Sequence, residues 1–333
     1  MRISSVSSSL DLWRHIELAI RAIAFSLLLA LAASPAWADR PSLRDLKWIH
    51  ADADAIAAIT RAPAECLAVP SNPDRARRVQ LGRVAFRSPV LLGGVAARIG
   101  LSCDSCHRNG HDNPVFFVAG VSGDPGTADV TGSVFSTNRD DQRRNPVSIP
   151  SLVDAAAHPP FGTLVPAPDL PTFLHTAIVD EFMGRPPPPA VLEGITSYLG
   201  ALRSSACPSP AITKITFDSD ARALLETFDV VIAAVERHDS RTAEFALLAL
   251  RAALGRVYER FPEALADRER LVELSMSLSR VRQRLEDGNG TELPRMLAAE
   301  RAQLGEVIGV LRTKANESYY DPEVLRRVFD SDR

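Results

Sequence analysis

Cys103-Asp104-Ser105-Cys106-His107, preceded by Gly100-Leu101-Ser102, is the stretch on which the reading of this 333-residue chain turns. Two thiols three positions apart, followed at once by an imidazole, have the spacing at which a c-type haem is attached covalently. Each thiol forms a thioether to one vinyl group, and the histidine reaches the iron as an axial ligand. With four cysteines and seven histidines in the chain, chance produces such a pentapeptide in about 1 of 1000 sequences of this composition. The alternatives are a redox dithiol, or a zinc site in which Cys66, Cys103, Cys106 and His107 or Cys207 hold the metal. A histidine directly after the second cysteine is haem spacing. The motif occurs once, so one haem c is expected, bound by Cys103, Cys106 and His107.

Residues 1–38 read as an export signal: a basic start with Arg2, Arg14 and Arg21, an apolar run from Ala22 to Ala33, and Pro35-Ala36-Trp37-Ala38 before Asp39. Small residues at Ala36 and Ala38 suit cleavage after Ala38. The apolar run is about twelve residues, short of the roughly twenty that span a bilayer, and the alternative is an uncleaved N-terminal anchor. A periplasmic location agrees with the motif, because c-type haem is attached after translocation. In an oxidising compartment the two remaining cysteines, Cys66 and Cys207, are expected to form a disulfide, with two buried free thiols as the alternative.

The net charge of −3 is too small to imply nucleic acid, and the basic residues are spread through predicted helices. Nothing in the composition points to a membrane surface either.

Proline crowds the stretch from Pro63 to Pro210 and thins out afterwards, which marks the best domain boundary in the chain. The expected organisation is an N-terminal helical segment over 39–62, a haem domain over 63–210 and a helical bundle over 211–333. In the first, Leu46, Ile49, Ala53 and Ile56 predict one helix from Leu43 to Ile59. In the second, Asp74–Phe86 is a weak helix interrupted by Gly82, residues 108–150 are turns, and helices return at Pro171–Glu181 and Val191–Leu202. In the third, four stretches near Ser219–Arg237, Ser240–Arg260, Pro262–Glu286 and Glu292–Lys314 repeat apolar residues at i, i+3, i+4 and i+7. Short connections such as His238-Asp239 make them antiparallel neighbours. The fold class is all-α, a loop-rich haem domain followed by an antiparallel bundle that lacks metal ligands of its own.

The ligand on the iron's other face must come from chain that has wrapped round the cofactor. Met183 is the only methionine between the signal and the bundle and stands far along the chain from His107. Its thioether would favour ferrous iron, and its alternative role is core filler. His158 and His175 are further candidates, as is an open or water-bound site. His111, only four residues after His107, should lie on the same side of the porphyrin and is read as a solvent or propionate contact.

The middle region resembles the cytochrome c family, and within it one haem domain of the bacterial dihaem cytochrome c peroxidase and methylamine-utilisation-protein type. The likeness runs from Leu81-Gly82-Arg83 and Phe86 through the motif to Ile149-Pro150-Ser151-Leu152 and Tyr198-Leu199, covering Asp74 to Cys207 and leaving the bundle unexplained. It implies a cytochrome c-like haem domain in a periplasmic protein that moves electrons, in some members to reduce hydrogen peroxide. Two departures count against the peroxidase half: there is one haem motif instead of two, and Thr163-Leu164-Val165 follows Phe161-Gly162 where Asp-Gly-Arg is expected. An electron carrier working with a redox partner protein is therefore expected ahead of a peroxidase. In the enzyme reading Glu181, near Met183, handles protons; otherwise it is a solvated helix-end carboxylate. A third reading is a haem-containing protein that binds a partner, or itself, through the bundle.

Overall fold

The computed structural model describes residues 42–162, 166–288 and 290–331. The predicted signal lies outside them, as does the Thr163–Val165 departure. Helix dominates the described chain, and residues Ser42–Arg327 form one compact unit.

The first expected helix is two. Arg44–Trp48 is a single 3-10 turn, Ile49 and His50 are extended, and α1 (Ala55–Thr60) starts afresh where the Asp54 carboxylate accepts the Ala57 N–H at 2.9 Å. The apolar spacing was helical, but the extended stretch pairs with the chain beyond the motif. His50 N–H donates to Val115 O at 2.9 Å, and Phe117 N–H donates to Trp48 O at 3.0 Å. A tertiary partner outcompeted a weak local preference. The strand β1 (Arg61–Pro63) then pairs antiparallel with β4 (Ile212–Lys214), and between them in sequence β2 (Thr127–Ala128) pairs with β3 (Val147–Ser148) inside the turn-rich segment.

Helix α2 (Pro73–Phe86) begins where Asn72 Oδ1 accepts the Arg75 N–H, with Pro73 in the first turn where its missing N–H costs nothing. It packs against α6 (Pro189–Ala201), whose Tyr198 ring stands 5.2 Å from that of Phe86. Both rings are fully buried, each worth about 2–3 kcal/mol of apolar burial. Gly82 sits at the crossing. A Cβ there would fall 1.9 Å from Gly194 O, so the residue that weakens the helix as a sequence is the one that lets the two backbones meet. Between these helices in the chain lie α3 (Gly94–Ile99), α4 (Cys103–Cys106) and α5 (Leu170–Thr176).

Helices α7 (Phe217–Glu236), α8 (Ser240–Glu259), α9 (Leu265–Glu286) and α10 (Leu293–Thr313) form the expected bundle, each packed on the next and α10 returning to α7. Thr216 and Ser219 cap α7 reciprocally, and Asp239 caps α8 by accepting the Thr242 N–H. A last helix, α11 (Pro322–Ser331), was not anticipated by the apolar repeats.

The cores join what proline content divided. One apolar cluster runs from Val79, Phe86 and Tyr198 through Phe217, Phe228 and Leu250 to Leu278 and Leu304. A smaller one gathers Trp48, Leu92, Leu101, Phe116, Phe135 and Ile149. Polar ties reinforce the junction: Arg44 holds Glu259 through its backbone N–H and two side-chain nitrogens, and Arg256 Nη1 donates to Arg87 O at 2.9 Å.

Candidate functional site

The motif folds as one helical turn, α4, whose start is tied by Ser105 Oγ accepting the Ser102 N–H at 3.1 Å, while Ser105 N–H donates to the Ser102 backbone carbonyl at 3.0 Å. The turn stands between the two apolar clusters, with Cys103 packed on the larger and Cys106 on the smaller. Both thiols are half-buried and free. Burial, with Asp104 beside it, pushes the Cys103 thiol up to about 12, and burial pushes Cys106 higher still. A raised thiol pKa keeps both sulfurs protonated and lowers their nucleophilicity.

His107 N–H donates to Cys103 O at 2.8 Å, and its ring Nδ1 lies 2.9 Å from Pro150 O. A carbonyl accepts only, so Nδ1 carries the proton and Nε2 keeps its lone pair. Burial lowers the ring's pKa, outweighing the Pro150 carbonyl and Asp104, and keeps it neutral. A neutral imidazole with a fixed tautomer is the form that ligates a metal. Around the turn, Asn113 Nδ2 donates to Ser105 O and Asn109 N–H to Asp104 Oδ1, each at 2.8 Å. No family model, no curated protein and no solved structure matches this chain.

Cys66 and Cys207 are joined in a disulfide. They supply no thiolate to a zinc ion, and no cluster of three or more His, Cys, Asp or Glu fit for a metal occurs among the described residues. His111, expected as a solvent or propionate contact, makes contacts within the chain. It is half-buried, with Nε2 3.1 Å from Ala64 O and 3.6 Å from Cys66 Sγ, and so ties the segment after the motif to the disulfide.

Of the other candidates, His158 and His175 are both exposed, at the end of a 3-10 turn and on α5. Met183 is no core filler, being 45 % exposed. Its backbone is left-handed (φ 54°), and it is drawn against the glycine pair that opens α3. Gly93 N–H donates to Phe182 O at 3.0 Å, a Cβ on Gly93 would fall 1.9 Å from Met183 O, and one on Gly94 would meet Met183 Sδ at 3.7 Å. The chain carrying Met183 thus packs on the chain leading into the motif.

Glu181 is not a solvated helix-end carboxylate. It ends a π-helical turn, Ala177–Glu181, that continues α5, and only 7 % of it is exposed. Burial pushes its pKa up to about 6, with Arg139 opposing and Asp180 adding to the rise. Wide turns of this kind often mark functional positions.

Sequence reasoning missed the brace beneath the motif. Glu65 takes Arg83 at 2.6 Å and Arg87 at 2.9 Å and accepts the Tyr198 O–H at 2.7 Å; Arg87 also donates to Asn109 Oδ1 at 2.7 Å. Burial works against the Glu65 charge, but Arg87 and Arg83 outweigh it and hold the carboxyl below its ordinary pKa. Glu65 adjoins Cys66 and Arg83 was part of the quoted resemblance, yet neither carries a local sign of its partners.

Proposed function

We propose that this chain is an exported c-type cytochrome, with one haem c attached through Cys103 and Cys106, that passes electrons to or from a redox partner protein. The observation that carries the reading is the Nδ1–Pro150 carbonyl bond at 2.9 Å, which leaves His107 Nε2 as the available lone pair beside two free thiols. The residues fit the group: two free, half-buried thiols and a neutral imidazole lie in and at the end of one helical turn, among apolar side chains of both clusters. Bound haem supplies a one-electron ferric–ferrous couple. The chain's part is to anchor it, exclude water with Trp48, Phe116, Phe135 and Ile149, and set the potential through the ligands offered. Met183 is the proposed second ligand.

Glu181 favours a second reading, a peroxide-reducing enzyme, because a buried carboxyl titrating at about 6 holds or releases a proton near neutrality.

Absorption spectra and intact mass of the holoprotein test both. Covalent haem is expected in the parent and lost from Cys103→Ser/Cys106→Ser; its absence from the parent refutes the proposal. A weak near-infrared sulfur-to-iron band is expected from ferric parent and should vanish in Met183→Ala with haem still attached, and persistence of the band refutes ligation. Turnover of added peroxide that falls in Glu181→Gln supports the enzyme reading over the carrier.

A further inference from the structure

A cleft of about 410 Å³ opens on the outer side of the motif turn, where Ser102, Asp104, Ser105 and Arg108 face β4 and the first turns of α7. Its volume is within the range of small-molecule sites, about 300–1,000 Å³, but its wall is charged. The carboxylates in that wall are already engaged. Glu259 takes Arg44 at 2.7 Å, Glu65 takes Arg83 and Arg87, and Glu226 takes Arg83 at 2.8 Å. Asp45 lies 3.7 Å from Arg260, Asp104 accepts the Asn109 N–H, and Asp220 accepts the Tyr320 O–H at 2.6 Å.

The cations are in excess. Arg108, Lys214 and Arg222 line the same cleft, and their side chains have no hydrogen bond or ion pair among the described residues. Arg256 donates to the Arg87 carbonyl and forms no ion pair among the described residues. Like charges gathered in a partly enclosed space repel one another, and a ligand carrying several negative charges relieves that repulsion while a single charge leaves most of it. Guanidinium groups also grip carboxylate and phosphate oxygens in pairs.

We propose that this cleft binds a small polyanion, a molecule with two or more carboxylate or phosphate groups, between the motif segment and the bundle. The site uses the residues flanking the thiols and not the thiols themselves, so it stands whether or not the motif carries haem.

Calorimetric titration of the purified full chain with pyrophosphate, citrate and acetate, at low and at high ionic strength, tests it. One site per chain is expected for pyrophosphate, citrate or both, roughly tenfold weaker at high salt, with acetate giving no saturable heat. Binding of pyrophosphate alone assigns the phosphate class, binding of citrate alone the carboxylate class, and binding of both a site that reads charge. Arg108→Gln and the double variant Lys214→Gln/Arg222→Gln should each weaken binding about tenfold or more. Lys214 and Arg222 are exposed and hold no partner among the described residues, so the double variant decides the matter even if Arg108→Gln fails to fold. No saturable heat with either polyanion overturns the proposal, as does undiminished binding in the double variant.

Discussion

At the scale of single residues, the site rests on groups whose chemistry is set by burial. His107 is kept neutral and its tautomer chosen by a carbonyl 43 positions away, and the two thiols stay protonated. Glu181 gives this scale its sharpest prediction. Its folded pKa of about 6 exceeds the ordinary carboxylate value of 4.5, so the folded state holds the proton that the unfolded chain has released. Stability from this group is full below about 4.5 and is lost as pH rises through about 6. Relative to Glu181→Gln, the parent should therefore lose about 2 kcal/mol across that window. Urea unfolding at pH 4, 5, 6 and 7 measures the difference between the two proteins; a difference independent of pH would contradict the assignment. The residue itself was visible in the sequence, but its burial was not, because the π turn that turns it inward leaves no mark in apolar spacing.

At the scale of elements, apolar periodicity was a good guide wherever helices bury one face against their neighbours. The bundle stretches were predicted close to their observed ends, since a stripe at 3.6-residue spacing and a short turn constrain each other. It misled at Leu43–Ile59, where backbone pairing with residues 115–117 broke the helix. Gly82 shows the same limit from the other side: read locally it lowers confidence in α2, while in the fold it permits the α2–α6 crossing. Gly82→Ala should destabilise by about 1–3 kcal/mol or more through overpacking against Gly194 O. Gly305→Ala, in α10 with nothing within 4 Å of the added Cβ, should stabilise by about 0.5–1 kcal/mol. Denaturant midpoints of the two variants test the contrast, and effects of the same sign would contradict the account of the crossing.

For the whole molecule, the disulfide encloses almost everything that matters to the site. Cys66 and Cys207 are 141 positions apart, with the motif, α2 and α6 inside the loop they close. Removing a cross-link over so long a loop frees much chain entropy in the unfolded state, and Cys66→Ala/Cys207→Ala should lose about 3–5 kcal/mol by urea unfolding. A loss under about 1 kcal/mol would show that the polar ties and the shared core hold the junction without it. Those ties explain why proline content and packing divide the chain differently: loops set the proline count, whereas the larger apolar cluster runs from α2 and α6 into the bundle without a break.

By itself the sequence determined the local chemistry: two thiols and an imidazole spaced within five residues, and helices whose apolar stripes recur every turn. Only the tertiary structure decided what depends on distant partners, namely the Pro150 carbonyl behind His107, the inward turn of Glu181, and the gathering of Arg108, Lys214 and Arg222 around one cleft. The division has one cause. Covalent spacing and helical period are carried by neighbours in the chain, while charge, burial and tautomer are set by whichever atoms the fold brings within a few ångströms.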